Sequence, residues 1–160
     1  MSDRSADVQA WLDGRAEEMA ALLEALVRVR TENPPGRELG RCAGVLRDAL
    51  DRLGFSPELI ELAPTGRLEA PAIVRGTVGG GPKVVYYHGH FDVVPAQSSS
   101  QFEPERRDGK IIGRGTADMK GGLVSMLYGA AAARELGLLD DRTIVSRADT
   151  WWDAWRQFYF

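Results

Sequence analysis

Lys83-Val84-Val85-Tyr86-Tyr87-His88-Gly89-His90-Phe91-Asp92 is the stretch on which the fold of this chain turns. Its first five residues are rich in β-branched and aromatic side chains, which favour extended backbone. They follow a break at Gly79-Gly80-Gly81-Pro82 and run straight into the only two histidines in the sequence. A run that is apolar at consecutive positions, with no polar alternation, reads as a central parallel strand covered on both faces of an α/β sheet. Open sheets of this kind bind ligands beyond the carboxyl ends of their strands. Residues two apart on an extended segment share a face, so His90 and Asp92 point into one cleft.

The flanking sequence agrees with an α/β architecture. Upstream, Trp11, Leu12, Met19, Leu22, Leu23, Leu26 and Val27 make the stripe of one amphipathic helix starting near Val8, with Gly14 a tolerated flaw. Asn33-Pro34-Pro35-Gly36 stops that helix, because proline removes a donor and disfavours helix in the residue before it. A second helix is expected over residues 39–53 with Gly54 as its C-terminal cap. Strand-like runs follow at residues 58–62 and 72–78. Downstream of the histidines, residues 96–101 read as a loop, and Asp108-Gly109 marks a tight turn before a short strand at Ile111-Ile112. A third helix runs over residues 120–136 and is closed by Gly137, and a last strand lies near residues 143–146. Helices alternating with strands in this way make layered α/β domains.

Bulk properties narrow the function classes. With 160 residues the chain suits one domain with a substantial core. A net charge of −3 and no basic stripe argue against nucleic acid as a partner. A single cysteine, Cys42, forms no internal disulfide and fits a reducing compartment. It recurs with Leu39, Ala43 and Leu46 at helical spacing, so it reads as a buried small hydrophobe. Residues 1–18 lack an apolar run of signal-peptide length, and no stretch reaches the roughly 18 apolar residues of a membrane span. The expected location is cytoplasmic, with no membrane partner. Gly79-Gly80-Gly81-Pro82-Lys83 enters a strand, whereas phosphate loops open onto a helix. A serine hydrolase is excluded because no Gly-x-Ser-x-Gly elbow exists.

The second chemically loaded element is Gly113-Arg114-Gly115-Thr116-Ala117-Asp118-Met119-Lys120-Gly121-Gly122, which joins a short strand to the third helix. Asp118 sits where a helix N-cap belongs, and capping is its plain role. The glycines around it permit close backbone approach, which a cap does not need. A carboxylate can also bridge two metal ions about 3.5–4 Å apart. His-x-Asp has two readings as well. It is a metal ligand oriented by a carboxylate, or a histidine merely satisfied near a loop.

Taken together, His88-Gly89-His90-Phe91-Asp92-Val93-Val94-Pro95, Phe102-Glu103-Pro104, Asp108-Gly109-Lys110 and Gly113-Arg114-Gly115 through Asp118-Met119-Lys120-Gly121 occur in a familiar order. The chain resembles the family of acetylornithine deacetylase, succinyl-diaminopimelate desuccinylase, aminoacylase and glutamate carboxypeptidase, two-zinc metallopeptidases. The resemblance covers roughly residues 8–139 and takes in Asn33-Pro34-Pro35-Gly36. It implies an α/β fold: an incomplete zinc-peptidase-like catalytic domain with a mixed, largely parallel sheet flanked by helices, without the smaller lid or dimerisation domain. By the same resemblance His90 ligates one metal and Asp118 bridges two. Asp92 is the catalytic-site residue that orients His90 and tunes its basicity. His88 falls at a variable position and is not counted as a ligand, and the peptide between Asp118 and Met119 is expected to be cis. The implied cofactors are two divalent ions, zinc first, with cobalt or manganese as alternatives. The implied reaction is metal-assisted hydrolysis of an amide in an N-acyl amino acid or small peptide, with a glutamate as general base.

The chain departs from that pattern near its end. The family's glutamate pair belongs roughly 30–35 residues after the bridging aspartate. That window holds Trp151-Trp152-Asp153-Ala154, and no glutamate follows Glu135. Asp153 is the acid nearest the right place, with Asp149 just before it. The later acidic ligand and the second histidine ligand are absent too. Residues 1–141 are therefore expected to be the N-terminal part of a metallohydrolase catalytic domain. Residues 142–160 are expected to be an atypical tail, truncated or frame-shifted, whose strand alternation fails from Ser146 onward; the plainer reading of the tail is a helix docking Trp151, Trp152 and Trp155. The expected consequences are at most weak metal binding and no measurable hydrolysis by this chain alone, with oligomeric state open. The competing reading is a non-catalytic relic or binding module that keeps half of the fold.

Overall fold

The computed structural model describes residues 4–61 and 72–150. Four helices and six strands follow one another in the order α1 (Arg4–Asp13), α2 (Ala16–Arg28), α3 (Leu39–Arg52), β1 (Ser56–Glu61), β2 (Ala72–Gly79), β3 (Lys83–His90), β4 (Glu105–Arg107), β5 (Lys110–Ile112), α4 (Gly121–Glu135) and β6 (Arg142–Asp149).

The single N-terminal helix expected from the apolar stripe is two helices, broken at Gly14-Arg15. Glycine costs about 1 kcal/mol in a helix interior, and the break gives each half its own partner. Trp11 Nε1 on α1 donates to Glu135 Oε2 on α4 at 2.9 Å, while Leu22, Leu26 and Val27 of α2 are buried. The helix over α3 follows expectation, and Gly54 closes it with φ +73°. Asp108 and Gly109, both at positive φ, turn β4 back onto β5 in an antiparallel pair. The loop expected over residues 96–101 leads into a 3₁₀ turn at Ser99–Phe102, anchored by buried Phe102.

Strands β1, β2, β6 and β3 lie side by side in that order. The sheet is mixed as expected, but parallel pairing does not predominate. Only β3 with β6 is parallel, and β1–β2 and β2–β6 are antiparallel. The expected central position of β3 is also corrected: among the described strands it is the edge. Val84 and Tyr86 are accordingly 61% and 53% exposed. Apolar content alone does not distinguish a strand covered on both faces from one whose second face lies open.

The last strand is longer than residues 143–146 and keeps its alternation. Ile144, Ser146 and Ala148 are buried in step, and β6 pairs along its length with both neighbours. The readings of Trp151, Trp152, Asp153 and Trp155 lie outside the described residues.

Helices α3 and α4 cover the sheet face that carries Val74, Ser146 and Ala148, and the core lies between these layers. Leu39, Cys42, Ala43, Leu46 and Leu50 come from α3, and Leu123, Val124 and Leu127 from α4. Cys42 is fully buried, as its spacing predicts. At Gly89 the strand approaches α4 so closely that a Cβ would lie 2.7 Å from Leu123 Cδ2 and 2.8 Å from Met119 Cε. That close approach sets the height of the C-terminal end of β3 above α4. Among the described residues, no helix is long and apolar enough to cross a membrane.

Candidate metal centre

Three loops meet beyond the carboxyl end of β3. The first is the end of β3 with its continuation to Val93, the second is the segment after α2, and the third is the turn leading into α4. Glu32 forms a parallel bridge with Val93. Asn33 N donates to Val93 O at 2.8 Å, and Val93 N donates to Thr31 O at 2.8 Å.

His90 ends β3 with its side chain only 17% exposed. Its Nδ1 lies 3.0 Å from the backbone oxygen of Asp92 and 3.1 Å from Asp92 Oδ1. Both atoms are acceptors, so Nδ1 carries the proton in the neutral ring. The lone pair is thereby left on Nε2, and Nε2 lies 3.3 Å from Asp118 Oδ1. A nitrogen lone pair facing a carboxylate oxygen is repulsive unless a proton or a cation lies between them. With a proton there, the ring is an imidazolium. Burial lowers the affinity of His90 for that proton. The hydrogen bond and charge of Asp92, with the charge of Asp118, more than offset this, so its pKa lies above the ordinary histidine value.

Asp118 is held in a short helical turn over Thr116–Lys120, at non-helical φ −130° and ψ 99°, followed by a cis peptide to Met119. It makes no N-cap bond. The N-cap of α4 is Lys120, so the plain capping role considered for Asp118 is not the one the structure gives it. Its side chain is 88% exposed, open to a ligand from solution. Lys120 is the opposite. It is fully buried, and its Nζ donates to Leu26 O at 2.8 Å and Val29 O at 3.0 Å, satisfying carbonyls at the end of α2. Burial pulls its ammonium below the ordinary lysine value, opposed by Cys42, Asp92 and Glu38.

His88, two residues earlier on β3, is engaged differently. Its Nε2 lies 3.0 Å from Asp149 Oδ1, and Arg147 Nε donates to Asp149 Oδ2 at 2.9 Å. Asp149 is fully buried. Asp149, noted from the sequence as the acid just before Asp153, is thus held by Arg147 and His88.

The donor chemistry fits a divalent ion in part. Two ligands of a tetrahedral zinc ion, each about 2.0–2.2 Å from the metal, lie roughly 3.4 Å apart. His90 Nε2 and Asp118 Oδ1 at 3.3 Å match that spacing. Among the described residues no group of three histidine, cysteine or acidic side chains is placed to share an ion. The structure brings the three residues expected from the sequence, His90, Asp92 and Asp118, within hydrogen-bonding distance of one another through His90. Asn33 and Lys120 stand in the quoted motifs, but their contacts were not foreseen: Asn33 Nδ2 donates to Asp92 Oδ2 at 2.9 Å, and Lys120 anchors the end of α2.

Residues 86–146, which carry His90, Asp92 and Asp118, match the model of peptidase family M20/M25/M40. The chain belongs to this family. It is 31% identical over 127 residues to N-formyl-4-amino-5-aminomethyl-2-methylpyrimidine deformylase of Halalkalibacterium halodurans, covering 76% of this chain and 30% of that protein. It is 40% identical over 107 residues to succinyl-diaminopimelate desuccinylase of Cupriavidus pinatubonensis, covering 62% and 27%. Human carnosine dipeptidase 1 superposes with a TM-score of 0.79 at 26% identity, covering 90% of this chain and 34% of that one. The chain therefore spans about three tenths of the length of the M20/M25/M40 relatives it matches.

Proposed function

We propose that this chain contributes part of the metal centre of an amide-bond hydrolase. His90 and Asp118 are the metal ligands, and Asp92 is the residue that orients His90. One observation carries the reading: Nδ1 of His90 is committed to two Asp92 acceptors, so Nε2 faces Asp118 across a gap that a cation fits. Zinc is the first choice, with cobalt and manganese also compatible with a nitrogen–carboxylate pair. A bound divalent ion would polarise an amide carbonyl and acidify water at neutral pH. The substrate class is an N-acyl amino acid or small peptide. It is supported by relatives named as a deformylase, a desuccinylase and a dipeptidase, all acting on amide bonds.

Two protein ligands hold an ion far less tightly than a closed four-ligand site, whose apparent binding is about 10–16 kcal/mol. Zinc titrated calorimetrically into the 160-residue chain should show one weak event, lost in both His90→Ala and Asp118→Ala. Undiminished binding in the two folded variants would remove the assignment.

A further inference from the structure

We propose that Asn33 is a positioning residue of this centre: its amide fixes the Asp92 carboxylate, and through it the ring of His90, so that Nε2 is presented as the metal-binding nitrogen. The inference rests on the His90–Asp118 reading and extends it to a residue 59 positions upstream of Asp92.

The geometry is a brace built from residues 29–33. At one end, Val29 O accepts from Lys120 Nζ at 3.0 Å, two residues beyond Asp118. In the middle, Thr31 Oγ1 donates to Phe91 O at 2.6 Å, and Thr31 is fully buried. At the other end, Asn33 is tied to Val93 through its backbone N–H and reaches Asp92 with its side chain. One five-residue segment therefore grips both the turn that carries Asp118 and the segment that carries Asp92.

The amide of Asn33 occupies Asp92 Oδ2, while Oδ1 faces His90 Nδ1. Asp92 is 4% exposed, so water is a poor substitute for the Asn33 donor. A carboxylate pinned at one oxygen presents the other in a fixed direction. Together with the Asp92 backbone oxygen, that direction keeps the proton on Nδ1 of His90, as partners in the outer shell of a metal site do. Removing Asn33 takes away the donor that holds Asp92 Oδ2, and with Oδ1 less firmly aimed the imidazole also samples the tautomer with its proton on Nε2, which leaves that nitrogen no lone pair to offer a metal.

The test uses the full chain labelled with ¹⁵N-histidine, which gives only two imidazoles to follow. Tautomers are read by long-range ¹H–¹⁵N correlation at pH 9 without metal, in the parent chain, Asn33→Ala and the near-isosteric Asn33→Asp. Zinc affinity is measured separately. The expected result is an Nδ1–H tautomer for His90 in the parent chain and a mixed population in both variants. His88 should be unchanged, and the zinc Kd should rise about tenfold, the low end of the range for outer-shell changes. An unchanged His90 tautomer in either variant that retains the parent's circular dichroism would overturn the proposal. A tautomer shifted in the variants, with a parent chain that keeps Nδ1–H but binds no zinc, would support the Asn33 relay and sink the metal reading alone.

Discussion

Two histidines on one strand, each beside an aspartate, are put to opposite use. His88 spends Nε2 on Asp149, and the other oxygen of that carboxylate is taken by Arg147, so the charges close on themselves. His90 spends Nδ1 on Asp92, and its Nε2 is left facing the exposed carboxylate of Asp118. A histidine–carboxylate contact is thus no sign of a metal ligand by itself. Which ring nitrogen is spent, and whether the carboxylate already has a cation, decide the matter.

The contrast can be broken most sharply at Asp92. Asp92→Ala should weaken zinc binding about 10–100-fold, measured by calorimetry, whereas Asp149→Ala should change it less than about twofold if the His88 group is sealed off as its geometry implies. Parallel losses in the two variants would erase the distinction.

A large effect on stability is expected away from both pairs, at Cys42. Burial raises its thiol from 9.0 to about 11. The unfolded chain therefore loses this proton at lower pH than the folded chain does. Stability should fall by about 1.4 kcal/mol per pH unit across that interval. Urea midpoints for the parent and Cys42→Ala at pH 8 and 10.5 test this, and the cysteine-dependent slope should vanish in the variant. Removing the His88 ring should cost less. His88→Ala leaves buried Asp149 with one fewer partner, for a loss of about 1–2 kcal/mol in denaturant unfolding, with zinc binding retained. The smallest effect is expected at Ser146, whose buried Oγ has no hydrogen-bond partner. Ser146→Ala should be neutral or slightly stabilising, and a loss above about 1 kcal/mol would mean that this hydroxyl does have a partner.

Much of this was readable before any coordinates, and the failures have physical causes. Local periodicity located α3, α4, the Asp108-Gly109 turn and the strand leading to His90, because each is set by neighbours in sequence. The break at Gly14 was hidden because the apolar stripe continues in register through it. The alternation of β6 looked lost from Ser146 onward because its inward residues, Ser146 and Ala148, are small, while Arg147 and Asp149 form an ion pair. The edge position of β3 is a tertiary fact that Val84 and Tyr86 do not announce. At the candidate site, the grouping of His90, Asp92 and Asp118 was expected from the family resemblance of their motifs, and the structure places them together. The contacts of Asn33 and Lys120 were not expected, since their partners lie 59 and more than 90 residues away and nothing local requires them.

Gly89 sits between the two histidines where an added Cβ would meet the side-chain ends of Leu123, Met119 and Met126. Met119 is bonded in sequence to Asp118, and Gly89 to His90. Both proposed ligands are thus levelled against a single shared point, like two arms of a balance resting on one fulcrum. A methyl group added there would press first on the side-chain ends of Leu123, Met119 and Met126, and whatever those ends did not absorb would reach the gap between Nε2 and the carboxylate from both sides at once.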